Sequence, residues 1–209
     1  PVLAGLMISQ PEPCSPGHRQ FLEAQRQRVA RIRGQLEQWY PEPAGLVLEI
    51  GCGHGHYLTA FAQQYPDCLC LGVDLVTKRI QKACRKRDKR NLENLQFLKA
   101  EVRELFMAWP DRLRLDRIFI LFPDPWPKKR HAKNRIIQQA LLEQLAAHAQ
   151  TGSRLHFRTD HGATFAWGRE QVTASPCWNS LPGDEWPLEN PSYFQDLFTQ
   201  YQSLTAVRV

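Results

Sequence analysis

A carboxylate set among prolines and followed by a dense group of cations has the clearest chemical meaning in this sequence. Asp124 lies in the segment 123–127, PDPWP, directly after the apolar run 118–122. Each proline fixes its own φ and disfavours helical conformations in the preceding residue, so the backbone around Asp124 should have little freedom. The apolar run is typical of a strand buried on both faces of a parallel sheet, and ligands bind at the carboxyl ends of such strands. We therefore predict that Asp124 is an oriented carboxylate at a ligand-binding site.

The side chains that follow Asp124 indicate an anionic polymer as the partner. This basic loop contains Lys128, Lys129, Arg130, His131, Lys133 and Arg135. An acidic turn before a solvated basic helix would be a simpler interpretation, but it would not require three prolines in five residues. The net charge of +6 and the pI of about 9.1 also favour a polyanionic partner.

Three glycines after a second apolar run indicate a cofactor loop. The run 46–50 reads as a buried strand that contains Glu49, and Gly51, Gly53 and Gly55 lead into a helix expected over 56–64. A dinucleotide fingerprint would need its third glycine one residue later, so a nicotinamide oxidoreductase is disfavoured. The spacing instead resembles the S-adenosylmethionine loop of Rossmann-like methyltransferases.

A further carboxylate follows the next apolar run. Asp74 ends the run 68–73, nineteen residues after Gly55. An ionised carboxylate at the tip of a second strand can accept hydrogen bonds from both hydroxyls of a ribose. A helix N-cap after Leu75 is the structural alternative, and it is compatible with ribose binding.

The remaining pattern predicts alternating strands and helices. Further strands are expected at 95–99 and 154–158, and helices at 102–109, from Ile136 to about 149, and at 163–172. Residues 110–115 should form a turn, 151–152 should close a helix, and loops with short edge strands should follow Ser175. The six cysteines include no Cys-x-x-Cys pair, which favours reduced thiols over disulfides or a zinc site. We expect a cytoplasmic protein without a membrane span or a metal, either a monomer or a homodimer.

The segment FPDPWPKKRH at 122–131, with Lys133 and Arg135, resembles the signature of bacterial tRNA (guanine-N7)-methyltransferases. The resemblance extends over about 47–160 and, more loosely, into the tail. It implies an α/β, Rossmann-like class I methyltransferase fold with a mostly parallel seven-stranded sheet, helices on both faces and an antiparallel terminal hairpin. The implied reaction moves a methyl group from S-adenosylmethionine to N7 of the variable-loop guanine, position 46, of tRNA.

The resemblance also implies roles for individual residues. Asp124 would be the catalytic residue, which orients the guanine or stabilises its growing positive charge. Glu101 would lie beside the adenine, where the family carries aspartate, or would act only as an acid at a helix N-terminus. The cofactor-binding residues would be Glu49, Gly51, Gly53, Gly55, Asp74, Glu101 and Asp124. The substrate-binding residues would be Lys128, Arg130, His131, Lys133, Arg135, Asp160, Thr199 and Gln202.

Some departures from the family pattern leave other functions open. Asp74 stands where the family usually carries glutamate, and Gln202 replaces a glutamate of the late motif. With the short tail, Gln202 keeps open a degenerate, non-catalytic tRNA-binding protein. A small-molecule S-adenosylmethionine-dependent methyltransferase would share the glycine loop but would not explain the basic segments.

Two basic regions lie outside the signature. Residues 1–43 are predicted to form an N-terminal basic arm with a helix at 21–39, and 44–209 to form the methyltransferase domain, one domain overall. The arm could contact RNA, or its helix could pack on the domain edge with a solvated outer face. Segment 78–90 carries eight cations against one acid, which favours a phosphate-facing surface over a simply solvated face.

Overall fold

One twisted sheet organises the computed structural model, which describes residues 15–126, 129–189 and 200–209. The strands in this described part are β1 Ala44–Ile50, β2 Leu69–Asp74, β3 Leu95–Lys99, β4 Leu113–Leu121, β5 Ala149–Thr159, β6 Trp178–Ser180 and β7 Gln202–Arg208. They form a seven-stranded sheet in the order β3-β2-β1-β4-β5-β7-β6. The strands β1 to β5 pair in parallel, whereas β7 is antiparallel to both β5 and β6. The predicted fold class, including its antiparallel end, is confirmed.

Helices cover both faces of the sheet. In the described chain they are α1 Pro16–Trp39, α2 His56–Gln64, α3 Thr77–Lys89, α4 Val102–Met107, a short 3-10 helix Lys129–Asn134, α5 Gln139–His148 and α6 Gly162–Ala174. One core cluster joins the sheet to α2 and α3, and the other joins it to α1, α4, α5 and α6. On β4, Ile118 and Ile120 enter one cluster while Phe119 enters the other, because successive strand side chains point to opposite faces. The unbroken apolar run of β4 is thus explained by burial on both sides.

The strand order brings the predicted site to a crevice. β1 lies between β2 and β4, and the connections from β1 and β4 leave in opposite directions across the sheet. Ligands of open α/β sheets bind outside the carboxyl ends of the strands at such a switch point. The glycine loop after β1 and residues 122–125 after β4 therefore face the same crevice.

The second half of α1 is part of the core. Ile32, Leu36 and Tyr40 are buried, and the Tyr40 hydroxyl donates to the Cys70 carbonyl oxygen at 2.9 Å. Arg28 makes a bidentate ion pair with Glu104 on α4, with its shortest N···O distance 2.7 Å. The predicted helix thus packs firmly on the domain through its second half.

Several predicted element bounds were wrong. Residues 113–115, expected in a turn, already belong to β4, and α4 ends at Met107 rather than at Trp109. Ile136 and Ile137, predicted to begin the helix, precede α5, although Ile137 is buried in the core. Residues 151–152 lie inside β5, where the register against β4 shifts and Gly152 has φ +94°. The chain passes from α5 into β5 without an intervening loop, which a helical pattern alone could not reveal.

Candidate active site

The loop after β1 is built on glycines in left-handed conformations. Gly51, Gly53 and Gly55 have φ of 75°, 55° and 67°, a region that other residues rarely adopt. A Cβ on Gly55 would also lie 2.5 Å from the ring of Phe97, whereas Cβ atoms on Gly51 and Gly53 would meet open space. The amides of Gly51 and Cys52 both donate to the Val73 carbonyl oxygen at 2.9 Å. The loop is thereby folded back over the end of β2.

Glu49 places a buried carboxylate beneath this loop. Its side chain is 4% exposed, and Oε2 has no hydrogen-bond partner among the described residues. Burial, and to a lesser extent the nearby Asp74 carboxylate, raise the pKa of Glu49 to about 8. A buried acid in this condition is ready to receive a cation, which would restore its ionised form.

A cavity of about 450 Å³ opens above Glu49. Five residues predicted from the sequence line its wall together: Glu49, Gly51, Gly53, Asp124 and Asp160. The wall also contains His54, His56 and Tyr57, which were not predicted as site residues. Their position in and directly after the glycine loop could have indicated that they line the site. Burial lowers the pKa of both histidines, and the cations of α3 lower it further.

Asp74 acts from behind the loop rather than from the cavity wall. Its Oδ2 accepts from the Gly53 amide at 3.1 Å and lies 3.6 Å from Arg79, while Oδ1 accepts from the Val76 amide at 2.7 Å. The N-cap position of α3 is Val76, so Asp74 is not itself the cap. Both of its carboxylate oxygens are therefore engaged by the chain itself.

The segment after β4 is held by contacts with remote elements. Phe122 and Trp126 have φ of 47° and 44°, although the prolines that follow them predicted extended conformations. The Phe122 amide donates to the Arg158 carbonyl oxygen at 2.8 Å, and the Thr164 hydroxyl donates to the Pro125 carbonyl oxygen at 2.9 Å. This part of the prediction was wrong because β5 and α6 impose the backbone path on the segment.

Asp124 borders two cavities. Besides the cavity above Glu49, it lines a second one of about 460 Å³ with Glu101, Trp126 and Lys133. Glu101 is the N-cap of α4, since its Oε2 accepts from the Arg103 and Glu104 amides at 2.9 and 3.2 Å. It therefore serves as the helix acid considered above while also facing the second cavity.

The basic loop divides into exposed and buried cations. Arg130 and Lys133 are exposed, and His131 packs edge-on against Trp126. Arg135 is only 8% exposed; it donates to the Trp126 carbonyl oxygen at 3.4 Å and lies over the Trp167 ring. Arg135 also lines the second cavity, and its Nε has no hydrogen-bond partner among the described residues. Lys128 lies outside the described residues.

The remaining predicted substrate residues meet at the ends of β5 and β7. Asp160 follows β5, Gln202 begins β7, and both line an open depression with Tyr201. The N-cap of α6 is His161, whose side chain accepts from the Thr164 amide, so Asp160 does not cap this helix. Thr199 lies outside the described residues.

Some cations of the basic segment 78–90 make hydrogen bonds within the protein. Lys86 donates to the His54 carbonyl oxygen at 2.9 Å, and Arg87 donates to Gln96 at 2.7 Å. The cations with side chains exposed to solvent on α3 include Lys78, Lys82, Arg85 and Lys89. Within the described chain, no group of three or more His, Cys, Asp or Glu side chains could hold a metal ion. No helix in the described ranges has the length and apolarity needed to cross a membrane.

Comparison with known proteins decides the family. A family model described as a putative methyltransferase matches residues 43–206. A tRNA (guanine-N(7)-)-methyltransferase of Rhodospirillum rubrum is 34% identical over 172 residues, which cover 81% of this chain and 67% of that protein. A protein of the same name from Caulobacter vibrioides is 31% identical over 183 residues, with coverage of 82% and 80%. The chain belongs to the tRNA (guanine-N7)-methyltransferase family.

A solved structure outside this family shares its fold. An rRNA methylase from Streptococcus thermophilus aligns over 98% of this chain and 99% of its own, with a TM-score of 0.55 and 12% identity. At that identity the likeness concerns the fold alone.

The residues in and beneath the glycine loop fit the cofactor that this methyltransferase family implies. S-adenosylmethionine supplies an activated methyl group on a cationic sulfonium and carries an ammonium group and a ribose. The buried Oε2 of Glu49 lacks a partner in the described structure and would suit a positive group. Gly51 and Gly53 leave the backbone open to close approach. The cavity chemistry therefore agrees with the family assignment.

Proposed function

We propose that this protein transfers a methyl group from S-adenosylmethionine to N7 of the variable-loop guanine, position 46, of tRNA. The observation that carries the proposal is the meeting of Glu49, Gly51, Gly53, Asp124 and Asp160 in one cavity, with the exposed cations Arg130 and Lys133 in the loop that follows Asp124. The names of the related proteins support guanine N7 as the acceptor.

Methyl transfer to guanine N7 requires no proton transfer by the protein before the attack. N7 of neutral guanine has a lone pair and no proton, so attack on the methyl group needs no strong general base. S-adenosylmethionine would supply the methyl group with a neutral thioether as the leaving group, so the purine would gain the positive charge. The chain's contribution is alignment of the two reactants and exclusion of water, which can lower a barrier by several kcal/mol.

Individual residues divide this task. Glu49 holds the cationic end of the cofactor, and Asp74 holds the ribose from behind Gly53. Glu101 faces the adenine from the second cavity. Asp124, which borders both cavities, orients the guanine and stabilises the positive charge that grows on it. Asp160 accepts from the N1–H and exocyclic amine of guanine, which leaves N7 free.

The exposed cations of the basic loop bind the tRNA backbone. Arg130 and Lys133 are exposed, and Lys133 lines the second cavity. Contacts of such cations with phosphates position a nucleic acid without reading its sequence. Lys128 and Thr199 belong to the same proposal on the resemblance alone. We infer that the protein acts in the cytoplasm as a monomer or homodimer, without a metal.

The test uses methyl-labelled S-adenosylmethionine, purified protein and unmodified tRNA transcripts. In a matched transcript the variable-loop guanine is replaced by adenine. Label recovered as 7-methylguanosine only from the guanine transcript is the expected result. Cofactor binding without transfer would favour another substrate, and tRNA binding without cofactor binding would favour the non-catalytic alternative raised by Gln202.

A further inference from the structure

An exposed aromatic ring stands at the edge of the crevice. Tyr201 is 39% exposed and lies directly before β7. It lines the open depression that also contains Asp160 and Gln202. Since Asp160 also lines the cavity above Glu49, the depression adjoins the place where the cofactor would bind. A base entering the cavity from this side would pass over Tyr201.

The ring is fixed from two directions. Its centroid lies 6.2 Å from that of Phe122 in an edge-on arrangement, and the guanidinium carbon of Arg158 lies 4.4 Å from it. Phe122 is the last residue before the segment that carries Asp124. The orientation of Tyr201 is therefore tied to that of the catalytic segment.

Arg158 is itself held on every side. It is 3% exposed, and its guanidinium carbon lies 3.8 Å from the centroid of Trp186. Two of its nitrogens make a bidentate ion pair with Glu189 at 2.8 and 2.9 Å, and Nε donates to the Ser203 hydroxyl at 2.8 Å. The ion pair offsets the guanidinium charge close to the place where the purine becomes cationic. A buried side chain so fully engaged makes a rigid support for the Tyr201 ring.

We propose that Tyr201 is the surface on which the target guanine stacks, and that Arg158 is the positioning residue that keeps this ring in place. The inference rests on the proposed function and assigns the binding mode of its substrate. An enzyme that modifies a base must take it out of the stack and receive it between aromatic or apolar groups and polar groups on its edge. Tyr201 offers the ring face, while Asp160 offers acceptors to the base edge. An aromatic face is also attracted to the cationic purine that the reaction forms.

The first test compares Tyr201→Phe with Tyr201→Leu in the methyl-transfer assay. The phenyl ring keeps the stacking surface, so Tyr201→Phe should remain close to the unaltered protein. Tyr201→Leu should raise the KM for tRNA and lower kcat/KM by roughly 5- to 100-fold, the usual range for loss of one stacked aromatic. Its cofactor affinity should not change. Met107→Ala, at an exposed apolar residue at the end of α4, serves as the matched control.

A second readout reports stacking directly. A tRNA transcript with 2-aminopurine at the target position should fluoresce more brightly with Tyr201→Leu than with Tyr201→Phe, because stacking on an aromatic ring quenches the probe. Arg158→Lys cannot keep both the flat stacking and the bidentate ion pair. It should produce a smaller change of the same kind in KM and in fluorescence.

The outcomes separate this inference from the function beneath it. Absence of methyl transfer by the unaltered protein would overturn the proposed function, and the inference with it. Normal transfer by the unaltered protein together with unchanged kcat/KM in Tyr201→Leu would overturn the inference alone. Equal losses in Tyr201→Phe and Tyr201→Leu would also overturn it, because the hydroxyl rather than the ring would then be the important group.

Discussion

Two loops form the crevice, and their backbones are set in different ways. In the loop after β1, all residues with positive φ are glycines, and short hydrogen bonds to the end of the neighbouring β2 close the turn. In the segment after β4, positive φ occurs at Phe122 and Trp126, where side chains make this conformation unfavourable. There the backbone is held by β5 and α6. The first loop depends on its own sequence, and the second depends on the completed fold.

Asp124→Ala gives the largest expected effect and tests whether the second segment does chemistry. We expect turnover to be abolished while the thermal unfolding midpoint stays close to that of the unaltered protein, because Asp124 is exposed. Methyl transfer to tRNA and calorimetry measure the two quantities. Near-normal turnover would remove Asp124 from the catalytic role.

Gly55→Ala tests the dependence of the first loop on glycine. A side chain there meets both an unfavourable φ and the Phe97 ring, so the free energy of unfolding should fall by roughly 2–4 kcal/mol. Gly51→Ala is the matched control, because its φ is equally unfavourable but its Cβ meets open space; it should lose only about 1–2 kcal/mol. Urea unfolding compares them, and equal losses would show that packing against Phe97 is unimportant.

Glu49 predicts a pH dependence for the first loop. Its pKa of about 8 means that it is mostly protonated at pH 7, whereas a cationic cofactor needs the ionised form. The affinity for S-adenosylmethionine should rise about fivefold from pH 7 to pH 8, and calorimetry in buffers of different ionisation enthalpy should detect proton release. Glu49→Gln should remove both effects.

The raised pKa of Glu49 should lower the stability of the fold as pH rises, whereas it should raise the affinity for the cofactor. Because the native pKa of Glu49 lies above the unfolded value of about 4.5, ionisation favours the unfolded chain between these values. The contribution of Glu49 to stability should therefore fall as pH rises towards 8. Denaturant unfolding at pH 5 and pH 8, with Glu49→Gln as control, measures this difference.

Thr164→Val gives the smallest expected effect and tests the support of the second segment. The change keeps the side-chain shape but removes the hydroxyl that donates to the Pro125 carbonyl oxygen. A net loss of about 1 kcal/mol in local stability is typical for one such hydrogen bond. We expect kcat to fall several-fold with cofactor affinity unchanged, since the glycine loop is untouched. An unchanged kcat would mean that the Phe122–Arg158 backbone bond suffices.

The same contrast explains what could be predicted from the sequence. The observed α2 and β3 coincide with the predicted spans, because glycine punctuation and a short apolar run encode them locally. The conformations of Phe122 and Trp126 could not be predicted, because remote carbonyl and hydroxyl groups decide them. The stack of Trp186, Arg158 and Tyr201 joins residues up to 43 positions apart, and no spacing in the sequence signals it.

The position of β7 within the sheet has a consequence for synthesis. Among the described strands β7 comes last in the chain, yet it lies between β5 and β6. While the polypeptide is being translated, β6 therefore has no neighbour in the sheet until β7 has left the ribosome. The edge of β5, with Arg158 and the approach to Asp160, stays unpaired for the same time. A ribosome-bound chain can thus assemble its glycine loop early, but β7 must have emerged before the base-receiving side of the crevice exists.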